Sequence, residues 1–456
     1  MALWQPQELL EATGGAMPVP FAAEGVAIDS RTLRPGDLFV ALAGESRDGH
    51  AFVPDALRRG AAGALVEQIC PGAERLLVVD DTLAALRRLG AFARARFPGR
   101  VAAITGSVGK TTSKEMLRAV LAAQGPTHAA EASYNNHWGL PLTLARLPAD
   151  AAWCVVEIGM NHAGEIAPLA RLAAPHVALV TAIEKTHVGH LGSIGAIADE
   201  KASICDGLMA GGTAVLPADS PHFERLRARA GAARVLGFGT APRADGCLLQ
   251  AAADAEGTDV AVAILGREYR FRLAAPGRHM AMNATAALLA AAALGADVAA
   301  GAAALQGFAP IAGRGARRLV PLAGGEVLLL DESYNASGAS VRAALAVLAL
   351  QPAARRVAVL GDMLELGEEG FAEHAGLAGD VARSADLLFT CGPLSERLHQ
   401  AVPPPLRGAH AADSATLAPL AAAALRPGDA VLVKGSLGSR MRLVVQAIDA
   451  LGAEPR

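Results

Sequence analysis

The stretch Thr105-Gly106-Ser107-Val108-Gly109-Lys110-Thr111-Thr112 lies between an apolar run, Val101–Thr105, and a segment that reads as a helix beginning near Lys110. Glycines let a backbone wrap a phosphate with its N–H groups, and a helix N-terminus adds positive partial charge. Lys110 has the reach for the β- and γ-phosphates of a nucleotide, and the Thr111 hydroxyl can ligate Mg²⁺. The spacing is not the standard G-x-x-x-x-G-K-S/T, because Ile104 stands five residues before Gly109. What remains is a compact G-x-x-G-K-T-T. Its strand–loop–helix setting favours nucleotide phosphate binding over a plain glycine turn with a solvated lysine.

Three further residues fall where such a loop would need them. Glu157 ends the buried-looking run Cys154-Val155-Val156, and His187 follows the run Val177–Ile183. Both would sit at the carboxyl ends of parallel strands, where open α/β sheets bind ligands. Glu157 there either holds Mg²⁺ beside the phosphates or caps a helix, and a lone His187 reads more readily as a structural histidine than as a ligand. Ser193–Met209 reads as a helix with Ser193 at its N-cap, which puts Lys201 on one face with Ala198, Ile204 and Cys205. A lysine facing inward must snorkel, pair or lose its charge. The alternative is an ion pair with Asp199, Glu200 or Asp206.

The elements around these residues alternate short apolar runs with longer helical stretches, the pattern of α/β architecture with mostly parallel sheets. Strands are expected at 37–42, 63–67 and 76–80, then at 101–105, 153–158 and 177–183. Four runs at 235–239, 246–251, 259–265 and 268–273 alternate like an antiparallel meander. After a Pro- and Gly-containing stretch, Gln306–Gly315, strands are expected at 327–331, 356–361, 387–391 and 430–434. The boundaries place domains at 1–98, 99–314 and 315–456, in keeping with the 456 residues at about one domain per 100–200.

Composition narrows the function classes. With 41 Lys and Arg against 44 Asp and Glu, the net charge of −3 offers no excess for a nucleic-acid backbone or an anionic membrane. The chain is 52% hydrophobic but only 4% aromatic, and its longest Ala-rich run, Ala284–Leu294, is shorter than the ~20 residues a bilayer span needs. No signal-like N-terminus is read. The five cysteines are odd in number and scattered, which suggests reduced thiols and neither a disulfide framework nor a zinc site. A cytoplasmic protein, without nucleic-acid partner or stable membrane insertion and expected to be a monomer, is the reading.

Taken in order, these residues resemble the Mur ligases, ATP-dependent amide-forming enzymes of peptidoglycan precursor synthesis. The resemblance runs nearly end to end. It is carried by Asp29-Ser30-Arg31 with PGDLFVAL, Asp48-Gly49-His50, the GSVGKTT loop, Asn135-Asn136 and the segment from Glu157 to Ile166 (EIGMNHAGEI). His187, Lys201, Gly277-Arg278-His279, Asn283 and Gly313-Arg314 follow, then the Asp331–Ala336 segment DESYNA, Gly361-Asp362-Met363 and Lys434-Gly435-Ser436. The Asn-His-x-Gly-Glu-Ile segment and the lack of a D-D/N-P-R motif favour the branch that joins D-alanyl-D-alanine to a UDP-N-acetylmuramoyl-tripeptide over the sister that adds the third amino acid. Requirement for both substrates would separate either from a nucleotide switch that hydrolyses ATP slowly.

The resemblance implies an N-terminal UDP-substrate-binding α/β domain, a central P-loop ATPase-type parallel sheet with an added antiparallel meander, and a C-terminal Rossmann-like domain. It implies ATP cradled by Gly106, Ser107, Val108, Gly109, Lys110, Thr111 and Thr112, with Asn136 nearby, Asn283 at the adenine, Arg314 at the γ-phosphate and Asp331 at the ribose. Two Mg²⁺ ions are expected, one on Thr111 and Glu157 and one on His187 and a carbamylated Lys201. Ser30, Arg31, His50 and Asn135 are implied at the UDP-substrate, and Asn335, Asp362 and Lys434 at the acyl acceptor. The chain departs from the pattern at Met280, Gly189 and Ser203, where the family often has Asn, Glu and Glu.

Overall fold

The structure, a computed structural model, describes residues 2–44, 48–130, 133–186 and 188–452. Three sheets follow one another along the chain. The first is parallel throughout, in the order β1 (Gly25–Ala27), β2 (Asp37–Val40), β3 (Gly63–Val66), β4 (Leu76–Val78).

The central sheet has nine strands: β5 (Arg100–Thr105), β6 (Thr127–Ala129), β7 (Trp153–Glu157), β8 (Val177–Val180), β9 (Thr213–Pro217), β10 (Arg234–Gly239), β11 (Gly246–Ala253), β12 (Thr258–Ile264) and β13 (Arg267–Leu273). Their order is β13-β12-β11-β10-β9-β8-β5-β7-β6. The C-terminal sheet orders β14 (Ala316–Leu322), β15 (Gly325–Glu332), β19 (Asp429–Lys434), β16 (Arg355–Gly361), β17 (Leu387–Cys391) and β18 (Arg407–Ala411).

Strands β5, β7 and β8 are near-continuous apolar runs because helices cover both faces of the sheet. On one face the helices Lys110–Ala122 and Arg278–Leu294 bury Met116, Leu117, Ala284 and Leu288 against Ile104 and Val155. On the other, Ile166–Ala173 and Ile194–Ala202 bury Ile166, Ala170, Ile197 and Ala198 against Ala103 and Val156. β5 is flanked by β7 and β8, both parallel to it, with Ile104 opposite Glu157 and Thr105 opposite Val180. The three strand ends therefore open side by side.

Two sequence-based expectations are corrected. The run at 235–239 is not part of an antiparallel meander: β10 pairs in parallel with both β9 and β11, and only β11–β12–β13 is antiparallel. The C-terminal sheet also opens with a hairpin, since β14 pairs antiparallel with β15. β14 carries Arg317, Arg318 and Pro321 and has no strand-like apolar run; it lies at a sheet edge, where polar residues and a missing N–H are tolerated.

The N-terminal and central units are joined through the helix Thr82–Arg96. Arg94, nearly buried, donates from Nε to the Ala173 carbonyl and from Nη2 to the Ala174 carbonyl, both at 2.8 Å. These carbonyls end the helix Ile166–Ala173, so the guanidinium satisfies orphan acceptors and complements the helix dipole. Burial lowers the Arg94 pKa, the expected direction for a desolvated cation. Arg94→Ala is expected to destabilise by about 2 kcal/mol, the scale of hydrogen bonds to a charged group. The first calorimetric unfolding transition should move down by several degrees while nucleotide affinity stays within twofold.

Candidate active site

The phosphate loop is braced by the end of β8. Gly106 (φ +146°) lies so close to Thr181 that a Cβ there would overlap its hydroxyl, and a Cβ on Gly109 (φ +83°) would stand 2.7 Å from the Asn283 amide oxygen. The Thr181 hydroxyl donates to the Val108 carbonyl at 2.6 Å, and Ser107 exchanges hydrogen bonds with the backbone of Glu184. Lys110 folds back to donate from Nζ to the Gly106 carbonyl at 2.7 Å. Desolvation lowers its pKa, with Arg314 adding and Glu157 opposing. Thr112 follows in the first turn of the helix Lys110–Ala122.

Glu157, almost fully buried, accepts from the Thr111 hydroxyl at 2.7 Å on Oε2 and from the Asn135 amide at 2.7 Å on Oε1. A hydroxyl and a carboxylate oxygen thus meet at the mouth of the phosphate loop. Among the described residues no three His, Cys, Asp or Glu side chains cluster for a metal. The pair that is present suits Mg²⁺, which takes one or two protein ligands and fills its shell with phosphate and water. His187 lies outside the described residues.

Lys201 is buried at the end of the helix Ile194–Ala202, which Ser193 caps through Ala196 N–H. The helix stops sooner than expected, giving way to a 3-10 turn at Ser203–Gly207, but the inward face of Lys201 is as the spacing indicated. Its expected partners are committed elsewhere. Asp199 pairs with Arg225, Asp206 with Arg229, and Glu200 accepts from Gly164 N–H and Ile166 N–H. Desolvation, reinforced by Lys110 and opposed by Glu200, pushes the Lys201 pKa well below that of a free lysine. Glu200, one of the expected ion-pair partners, instead holds the backbone at the start of the helix Ile166–Ala173.

Across the cleft, the Arg314 guanidinium lies 4.0 Å over the Tyr334 ring and donates to Ser133 Oγ at 3.1 Å. Ser133 Oγ is in turn 3.4 Å from Thr111 Oγ1, so Arg314 reaches the phosphate loop through one hydroxyl. Asp331 is buried and accepts from Ser333 and from Gly313 N–H. Lys434, also buried, donates to Glu332 Oε2 at 3.1 Å and to the Asn335 carbonyl at 3.0 Å.

Several implied contacts turn out to hold backbone. Both Asp362 carboxylate oxygens accept backbone N–H groups, from Leu394 and Ser395, so Asp362 presents no free carboxylate to an acceptor. The Asn136 side chain accepts from Gly139 N–H, and the Asn335 amide oxygen from Ala336 N–H. His50 is buried with Nδ1 on Asp48 and Nε2 accepting from Glu67 N–H, which uses both ring nitrogens. Ser30 is buried in the β1–β2 connection, and Arg31 is exposed and paired with Asp29. Met280, at one departure from the family pattern, is buried in the central core.

Three family models match this arrangement: the Mur ligase family catalytic domain over residues 23–86, the Mur ligase middle domain over 104–291 and the Mur ligase glutamate ligase domain over 317–437. A UDP-N-acetylmuramoyl-tripeptide–D-alanyl-D-alanine ligase of Escherichia coli is 36% identical, covering 94% of both chains, and one of Bacillus subtilis is 34% identical, covering 92% of both. MurF from Acinetobacter baumannii superposes with a TM-score of 0.85 at 29% identity, over 98% of this chain and 99% of that one. MurF ligase from Thermotoga maritima, solved in complex with ADP, gives 0.79 at 26% identity over 94% and 98%. On this end-to-end agreement of sequence and fold, the chain belongs to the Mur ligase family, whose members are ATP-dependent amide-forming ligases.

Proposed function

We propose that the chain joins D-alanyl-D-alanine to a UDP-N-acetylmuramoyl-tripeptide, cleaving ATP to ADP and phosphate. The observation that carries this reading is the gathering of Lys110, Thr111 and Glu157 at the adjoining ends of β5 and β7, with Lys201 of the helix Ile194–Ala202 and Arg314 both near enough to Lys110 to feel or add to its charge. The names of the full-length relatives support the choice of substrates.

A carboxylate is a poor acyl donor. The tripeptide's terminal carboxylate attacks the γ-phosphorus, ADP leaves, and the dipeptide amine then attacks the acyl phosphate and expels phosphate. Lys110 and Arg314 offset charge on the transferring group, which is mostly a matter of positioning and electrostatics. Thr111 and Glu157 would hold one Mg²⁺, and His187 with a Lys201 carbamate a second; such ions reduce the repulsion between two anionic reactants. Domain 1–98, through Ser30 and Arg31, takes the UDP end; 99–314 takes ATP; 315–456, with Lys434 near Glu332 and Asn335, receives the acceptor. Asn283 is assigned to the adenine and Asp331 to the ribose. Asn136, His50 and Asp362 shape these surfaces through the backbone they hold. The enzyme works in the cytoplasm as a monomer; among the described residues no helix is long and apolar enough to cross a membrane.

The surroundings of Lys201 support the carbamate. A desolvated lysine without a carboxylate partner favours its neutral amine, which adds to CO₂ and releases a proton, so that a cation becomes an oxygen-ended anion. Hard Mg²⁺ accepts such oxygens and not an amine.

Phosphate release should require the UDP-tripeptide and D-Ala-D-Ala together, with the pentapeptide product seen by mass spectrometry; acceptor-independent release would overturn the reading. Lys110→Ala should lower turnover about 10²–10³-fold with the fold intact by circular dichroism. Lys201→Ala should lose about 100-fold or more and regain part of it with added acetate. Wild-type enzyme in ¹³C-bicarbonate should show a carbamate carbon signal that the variant lacks; full activity in Lys201→Ala would reject the modification.

A further inference from the structure

The backbone that braces the phosphate loop runs directly into a contact with the C-terminal domain. Glu184 exchanges hydrogen bonds with Ser107, and its carbonyl accepts from Thr186 N–H at 2.7 Å, a tight turn that leaves Lys185 projecting. Lys185 Nζ donates to Glu369 Oε2 at 2.8 Å and to Glu373 Oε1 at 3.3 Å. Both acids belong to the segment after β16.

A second strut lies beside the first. Gly189 N–H donates to the Glu365 carbonyl at 3.0 Å. Glu365 adopts φ +66°, a conformation uncommon outside glycine, and Gly367 follows at +58°. The two backbones are in contact: a Cβ on Gly189 would stand 3.3 Å from the Glu365 oxygen and from the Gly367 nitrogen. The glycine at 189, one of the departures from the family pattern, thus has a physical reason in this chain.

We propose that Lys185 is a positioning residue for ligation: with Glu369, Glu373 and the Gly189–Glu365 contact it clasps the C-terminal domain to the segment after β8 that braces the phosphate loop, and so sets the fraction of enzyme in the ligation-competent domain arrangement. The proposal rests on the ligase function above. Each exposed ion pair is weak by itself. A domain equilibrium nevertheless responds to small differences, because apparent affinity falls in proportion to the competent fraction. An acceptor held by the C-terminal domain loses affinity when the clasp opens, whereas the phosphate loop stays intact within the central domain.

The test compares the parent with Lys185→Glu, Gly189→Val and the charge-swapped Lys185→Glu/Glu369→Lys/Glu373→Lys. Two readouts are taken on each: the distance between a fluorophore pair on the central and C-terminal domains, with ATP and UDP-tripeptide present, and steady-state kinetics. The expected result is a longer mean distance and a KM for D-Ala-D-Ala raised about three- to tenfold in Lys185→Glu and Gly189→Val, with an unchanged melting temperature. The charge swap should restore both, and about 0.5 M salt should bring the parent towards Lys185→Glu. Parental distance and KM in Lys185→Glu, or a folded charge swap that restores neither, would overturn the clasp. The distance readout needs no turnover, so it judges the clasp even if the ligase reading fails; normal ligation with unmoved distances rejects the clasp alone.

Discussion

The buried carboxylate of Glu157 is the charge around which the site is arranged. A carboxylate removed from water is costly unless compensated on both oxygens. Here Thr111 and Asn135 donate to it, and Lys110 lies near enough to feel its charge. That compensation joins the helix after the phosphate loop, the loop carrying Asn135 and the end of β7. None of the three could shift without leaving a buried charge exposed to an apolar surrounding. The parallel register of β5 with β7 puts Glu157 level with Ile104, one residue below the phosphate loop, and makes this possible.

Lys110, Lys201 and Arg314 gather around that anion. Burial disfavours the charged form of both lysines; the Lys110 charge adds to that effect at Lys201, and Arg314 adds to it at Lys110. Such an arrangement is unfavourable alone and becomes favourable when polyanionic ligands enter, the usual logic of preorganised electrostatics. Arg314 is parked on the Tyr334 ring and on Ser133, contacts weak enough to be exchanged for a phosphate.

Several residues that carry the family resemblance work by holding backbone. Asp362 fixes the turn into the helix Ser395–Ala401, and Asn136 fixes the start of the helix Gly139–Ala145. His50 ties the segment after β2 to the end of β3. A buried polar side chain that satisfies an otherwise unpaired N–H is as constrained in identity as one that touches substrate. Residue identity alone therefore does not separate the two roles.

The α/β alternation, the phosphate loop and the inward face of Lys201 were legible in the sequence, since each depends on periodicity or on contiguous residues whose backbone chemistry is local. Most central strands were legible too, because burial on both faces leaves an unbroken apolar run. The edge strands β6, β14 and β18 were not, as a half-exposed edge tolerates Thr-His-Ala, Arg-Arg-Leu-Val-Pro or Arg-Gly-Ala-His. Nor was the pairing direction of β10, which depends on its neighbours and not on its own residues. Only the tertiary structure decided which carboxylates were free for Lys201, that Asp362 and His50 were spent on backbone, and that Lys185 met Glu369 and Glu373 about 185 residues away along the chain. The physical reason is common to all of these. A polar group's role is set by which partner fills its hydrogen-bonding capacity, and those partners arrive from elements distant in sequence.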